Sequence, residues 1–168
     1  MKTISRILLS LVVLVATVHA EDKPALECTV GGRAIKVFLA DEEFDPSKHK
    51  IEYREGAYGP ETLFIDGHEP LGTDNQLPKR SWKRFTVLWD GVETPLPGSL
   101  YKAYYHPNID TAAVRHRNLV FTIDPGGEWI QVIMRGSDGG GAYLAGWELR
   151  RDGKHKRIDP SQLYQPPS

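Results

Sequence analysis

Between Asn118 and Arg150 apolar residues return at every second position in three successive runs. Leu119, Phe121 and Ile123 share one face of the first run, and Ile130, Val132 and Met134 share one face of the second. Tyr143, Ala145, Trp147 and Leu149 do the same in the third, against Glu148 and Arg150 on the other face. A period of two is the signature of a half-buried strand, because successive side chains leave opposite faces of the pleat. Turn-forming clusters at Pro125-Gly126-Gly127 and across Gly136 to Gly141 separate the runs, so they predict consecutive antiparallel strands.

The same reading extends over the rest of the chain. Ala25 to Ala40 holds two apolar runs around Gly31-Gly32, a pair suited to the positive φ angles of a two-residue hairpin turn. Ile51 to Glu55 and Thr62 to Ile65 predict two short strands, and Arg84 to Trp89 pairs with Val92 to Thr94 across Asp90-Gly91. Ala112 to Arg117 predicts an edge strand, and Asp152-Gly153 a further turn. Asp41 to Lys50 and Glu69 to Ser81 are polar and interrupted by proline, which predicts loops. Ser99 to Tyr105 is the only helical candidate, about two turns long with Ser99 as N-cap. These elements predict an all-β fold, an antiparallel sandwich or curled meander sheet with at most one short helix. The domain spans residues 21–158, and the Pro-rich tail 159–168 is expected to be extended or disordered.

The first twenty residues read differently. Lys2 and Arg6 precede an apolar run from Ile7 to Val18, and Val18-His19-Ala20 suits signal-peptide cleavage. The run is too short for a membrane span. Cleavage before Glu21 predicts a periplasmic or secreted chain with no transmembrane segment. Removing Lys2 and Arg6 from a formal charge of −1 leaves −3. That balance argues against a nucleic-acid partner. Cys28 is the single cysteine, so no intramolecular disulfide forms, and its expected role is that of a small, poorly accessible apolar side chain.

Candidate chemistry is sparse. The loop Gly136-Ser137-Asp138-Gly139-Gly140-Gly141 lacks the Lys and the following helix of a nucleotide loop, and chain reversal is its first reading. Recognition through Ser137, Asp138, Gly140, Gly141 and Tyr143 is the second. Tyr143 is core if it follows the alternation, and a loop-tip contact if it splays outward after the glycines. Asp66, His68, Glu69 and Asp74 lack the spacing of a metal site. No cofactor, metal or catalytic residue is assigned. Lys79 to Arg84 and Arg150 to Arg157 are basic clusters, read as solvated hairpin ends or as contacts to an anionic glycan or lipid surface, with Trp82 stacking on a sugar.

The run Val132-Ile-Met-Arg-Gly-Ser-Asp-Gly-Gly-Gly-Ala-Tyr143-Leu resembles the loop of periplasmic inhibitors of invertebrate-type lysozyme, in which a strand leads to Ser-Gly-x-Tyr. Gly141 and Tyr143 match that motif, while Gly140 stands where the family has its serine. The resemblance implies a small exported β protein whose loop 136–143 enters a glycosidase cleft. The expected function is therefore that of an exported envelope binding protein, with a cell-wall hydrolase or an envelope glycan as partner. The alternatives are an extracytoplasmic hydrolase using loop carboxylates and an envelope structural protein. Carboxylates or histidines converging in a pocket would favour the hydrolase, and a protruding Gly-rich loop over a closed sheet would favour binding.

Overall fold

The computed structural model describes residues 23–57, 59–110, 118–137 and 140–162. The predicted signal peptide, the Ala112 to Arg117 strand, Asp138 and the end of the tail lie outside them. Strands β1 (Leu26–Val30) and β2 (Arg33–Glu43) form the expected hairpin, with φ of 58° at Gly31 and 77° at Gly32. Glycine adopts such a pair without strain, where a β-branched residue does not. Gly31 has a second duty, since a Cβ there would stand 2.7 Å from the carbonyl oxygen of Gly126. Gly31→Val is thus expected to cost more stability than Gly32→Val, which should lose about 1–2 kcal/mol from backbone strain alone. Denaturant melts of the two variants check the order.

β2 pairs with β5 (Arg80–Trp89), which turns through Asp90-Gly91 into β6 (Val92–Pro95). Between β2 and β5 the chain inserts a hairpin of β3 (Ile51–Gly56) and β4 (Gly59–Ile65), which forms its own two-stranded sheet. The remaining strands run as a meander: β7 (Leu119–Ile123), β8 (Trp129–Gly136), β9 (Tyr143–Arg150) and β10 (Lys156–Ile158). The two four-stranded sheets are ordered β1-β2-β5-β6 and β10-β9-β8-β7. The predicted all-β antiparallel fold is the one observed.

One core joins the two large sheets. Ile35, Val37, Phe85 and Val87 from the first meet Ile130, Val132, Trp147 and Leu149 from the second. All are the inward members of the alternation. A smaller cluster of Phe44, Leu63, Ile65 and Tyr105 holds the β3–β4 hairpin.

Three expectations need correction. The chain from Asp41 is not a loop at once: β2 continues to Glu43 past an irregularity at Ala40/Asp41. Arg80 reinforces that extension by donating from Nε and Nη2 to the Asp41 carboxylate at 2.8 and 2.9 Å. The helix predicted at Ser99 to Tyr105 reduces to a 3-10 turn at Gly98–Leu100. Backbone bonds from Leu71 N–H to Ala103 and from Tyr105 N–H to Leu71 capture the following residues instead. Tyr101 and Tyr104 are drawn into the large core and Tyr105 into the small one. The tail starts with another 3-10 turn, Pro160–Gln162, held by Asp159 accepting from Ser161.

The turn between β9 and β10 contains a half-buried imidazole. His155 Nδ1 accepts from the Arg150 N–H at 3.0 Å, and Nε2 is buried without a partner. Burial holds this histidine below its ordinary value of 6.5, with Asp152 opposing. Below that pH the unfolded chain binds the proton more readily than the folded one. Stability is therefore full above pH 6.5 and is expected to fall as pH drops through the folded value. Tm measured against pH should slope less in His155→Asn, whose Oδ1 takes the same backbone N–H without titrating.

Candidate functional site

The described ends of the loop singled out by sequence lie against neighbouring segments. Ser137 has φ of 58° and donates its N–H to the His106 carbonyl at 3.0 Å. Gly141 sits against the loop before β5: a Cβ on it would stand 2.7 Å from Asp74 Oδ1 and 2.9 Å from the Asp74 nitrogen. Gly140 faces the same carboxylate, at 3.3 Å by the same measure. The glycines thus serve chain reversal and close approach.

Tyr143 follows the alternation inward. Its side chain is buried among the residues of the large core, and its hydroxyl donates to the Tyr105 carbonyl at 2.9 Å. Burial pushes the phenol pKa upward, with a further contribution from Tyr104. The ring also lies directly over Gly136, its partner across β8 and β9, where a Cβ would collide with it. The splayed, loop-tip geometry is not adopted, because ring burial and a satisfied hydroxyl both favour the inward rotamer.

A different site forms where the β3–β4 hairpin leans on the first sheet. A cleft of about 390 Å³ opens there, with Trp82 and Tyr105 on the β5 side and Ile65, Asp66 and His68 on the hairpin side. Trp82 is not the surface platform expected from its basic neighbours. It is 6% exposed, stacked on Phe85 at 5.2 Å and set edge-on to Tyr101 and Trp147. A strict period of two would place Trp82 on the face of Arg84, but the register shift opposite Ala40/Asp41 skips Lys83 and returns Trp82 to the inward face of Phe85 and Val87. What it leaves is an indole Nε1 that is buried and has no hydrogen-bond partner.

The polar wall is built on one pair. His49 Nδ1 lies 2.7 Å from Asp66 Oδ2, and its ring stacks on Phe44 with centroids 4.7 Å apart. Asp66 Oδ1 accepts from the Lys50 N–H at 2.9 Å. These bonds, that from His49 first, hold the Asp66 carboxyl below its ordinary range. A carboxylate on one imidazole nitrogen orients the ring and leaves the other nitrogen for a ligand or a proton. Asp66 is positioned by an Asp66-Gly67 turn with φ of 52° and 81°. His49 is positioned by Asp45, which accepts from the Ser47 N–H at 3.1 Å and caps the preceding 3-10 turn.

Glu42, Lys48 and Lys102 complete the charged rim. Lys48 pairs with Asp45 at 3.2 Å. Lys102 has no ion-pair partner among the described residues, and its aliphatic stem lies across Gly98. Of the metal candidates weighed in the sequence, Glu69 accepts from the Ala57 N–H and Asp66 holds His49. Among the described residues no group of three His, Cys, Asp or Glu side chains gathers as metal ligands do.

None of the cleft residues except Trp82 and the Asp66–His68 pair drew attention in the sequence. A register argument would have found the central pair, because Ile51 opposite Ile65 brings Lys50 opposite Asp66 and His49 beside it. Compared with known proteins, the chain matches no family model, no curated protein and no solved structure.

Proposed function

We propose that this chain is an exported binding domain of the cell envelope whose site is the cleft between the β3–β4 hairpin and the first sheet, with a glycan as ligand. The observation that carries it is the combination in one cleft of the aromatic rings of Trp82 and Tyr105 with a carboxylate-oriented imidazole. Saccharides bind where an apolar ring floor is edged by fixed polar groups, since their C–H faces pack and their hydroxyls need directed partners. Export rests on the N-terminal pattern of Lys2, Arg6 and the apolar run to Val18.

This places recognition in the cleft rather than in loop 136–143. Lysozyme inhibition through that loop needs a Tyr143 hydroxyl free to meet the enzyme, and this hydroxyl is already bonded within the fold. The cleft reading is tested by titrating N-acetylglucosamine tetramers and other envelope oligosaccharides against tryptophan fluorescence. Ala103→Trp fills the cleft and should abolish the response, while Asp138→Ala should leave it intact. The reverse pattern would return recognition to the loop.

A second reading, glycoside hydrolysis, is favoured by the His49–Asp66 contact and by the convergence of Glu42, Asp66, His49 and His68 on one pocket. An imidazole held in this way serves as a general base. Chain cleavage of a bound oligosaccharide, lost in His49→Gln with binding retained, would establish it.

A further inference from the structure

We infer that β10 is an acid-released strap, freed from the edge of β9 when His155 takes up a proton. The tautomer decides the direction. His155 Nδ1 accepts from the Arg150 N–H at 3.0 Å, so in the closed turn the ring hydrogen sits on Nε2. A proton from solvent therefore enters at Nδ1. There it sets one N–H against another, and the bond that fastens the start of β10 to the end of β9 is lost.

Nε2 is buried without a partner, so neither N–H of the cation has an acceptor in the closed turn. The new charge also enters a cationic run, since Arg150, Arg151, Lys154, Lys156 and Arg157 flank His155 in sequence. Asp152 is the anionic group that acts on the ring. It is already held by Lys154 Nζ at 3.2 Å, by the Lys154 N–H at 3.1 Å and by Arg150 Nε at 3.7 Å. Glu148, opposite Lys156, is held by Arg150 and Lys156 at 3.1 and 3.4 Å. Glu128, just before β8, is held by Arg33 and Arg151 at 2.9 and 3.7 Å. Burial keeps the closed-state pKa below 6.5 while Asp152 opposes, so the strap is closed above pH 6.5 and loosens as pH falls towards the folded value.

β10 is the element that yields. It spans three residues, begins directly after His155 and is an edge strand paired with β9 alone. Its apolar anchor is Ile158, which lies so close over Gly146 that a Cβ there would stand 2.8 Å from Ile158 Cγ1. Arg157 lies over the Tyr104 ring at 5.1 Å. An edge strand with so few anchors opens at a lower free energy than the whole fold. Its release uncovers the backbone of Gly146 to Glu148 and the Tyr104 ring beneath Arg157, so that a paired edge of the second sheet becomes a free one in acid.

Native-state hydrogen exchange of the full chain, followed by NMR over a series of low urea concentrations at pH 7 and pH 5, tests this. Amides of the β9–β10 ladder are expected to open with little dependence on urea, and their protection factors should fall about tenfold between the two pH values. The β7–β8 ladder should exchange through global unfolding, with a steep urea dependence. His155→Asn keeps an acceptor for the Arg150 N–H and should remove the pH step, whereas Ile158→Ala should speed opening at both pH values and keep it. A β9–β10 ladder with the same urea dependence as the β7–β8 ladder overturns the inference, since β10 then leaves only when the whole fold does. A pH step that survives in His155→Asn overturns it too.

Discussion

Trp147→Ala is expected to destabilise the fold by about 3–5 kcal/mol, a large fraction of the stability of a domain of this size. The indole is fully buried in the centre of β9 and meets Trp82, Phe85 and Tyr104 edge-on at 6.1, 5.2 and 5.5 Å between centroids. Truncation leaves a cavity between the sheets and strips three aromatic neighbours of their contacts at once. It also frees the Leu100 carbonyl, which accepts from Trp147 Nε1 at 2.9 Å and ties the 3-10 turn to the core. Trp147→Phe keeps most of the volume and loses that bond, so it should cost less than half as much. Urea melts of the three proteins measure the difference, and a loss below about 1 kcal/mol in Trp147→Ala would mean that the two sheets do not share this core.

Tyr143→Ala should rank next, at about 3–5 kcal/mol, because the ring is buried and covers Gly136 across the β8–β9 ladder. The informative partner is Tyr143→Phe, which retains the ring and removes only the hydroxyl. It leaves the buried Tyr105 carbonyl without this donor and is expected to cost about 1–2 kcal/mol. The same substitution would have no effect on stability if the hydroxyl stood free at a loop tip. The two readings of Tyr143 thus give different melting curves without any ligand.

The alternation of apolar residues made most of the architecture legible before any coordinates. Leu119, Ile130, Val132, Trp147 and Leu149 all point inward as their period requires. Glycine and aspartate marked the turns, because Gly31, Gly32, Asp90 and Gly91 each take a positive φ that few other residues accept. Sequence reading failed where tertiary contacts outweighed local preference. Tyr101, Tyr104 and Tyr105 sit at a spacing that allows a helix, yet burial in two separate cores and pairing with Leu71 pull the segment straight.

The cleft was largely illegible for a related reason. Its residues come from the end of β2, the turn before β3, the turn after β4, β5 and the segment after Gly98. No short window contains more than two or three of them, and only the insertion of the β3–β4 hairpin brings them together. Gly140, Gly141 and Tyr143 drew attention because glycine runs are conspicuous. Their structural work, chain reversal and close packing on Asp74 and Gly136, is sufficient to account for them.

The central claim is that recognition occurs in the cleft, and mapping backbone and indole NMR shifts during titration with a bound oligosaccharide tests it most directly. The account predicts that the Trp82 Nε1–H resonance and the signals of His49, Asp66 and Lys102 move together and saturably, while Ser137, Gly140 and Gly141 stay in place. Shifts confined to the 136–143 loop, with Trp82 Nε1–H and His49 unmoved at saturation, would contradict it.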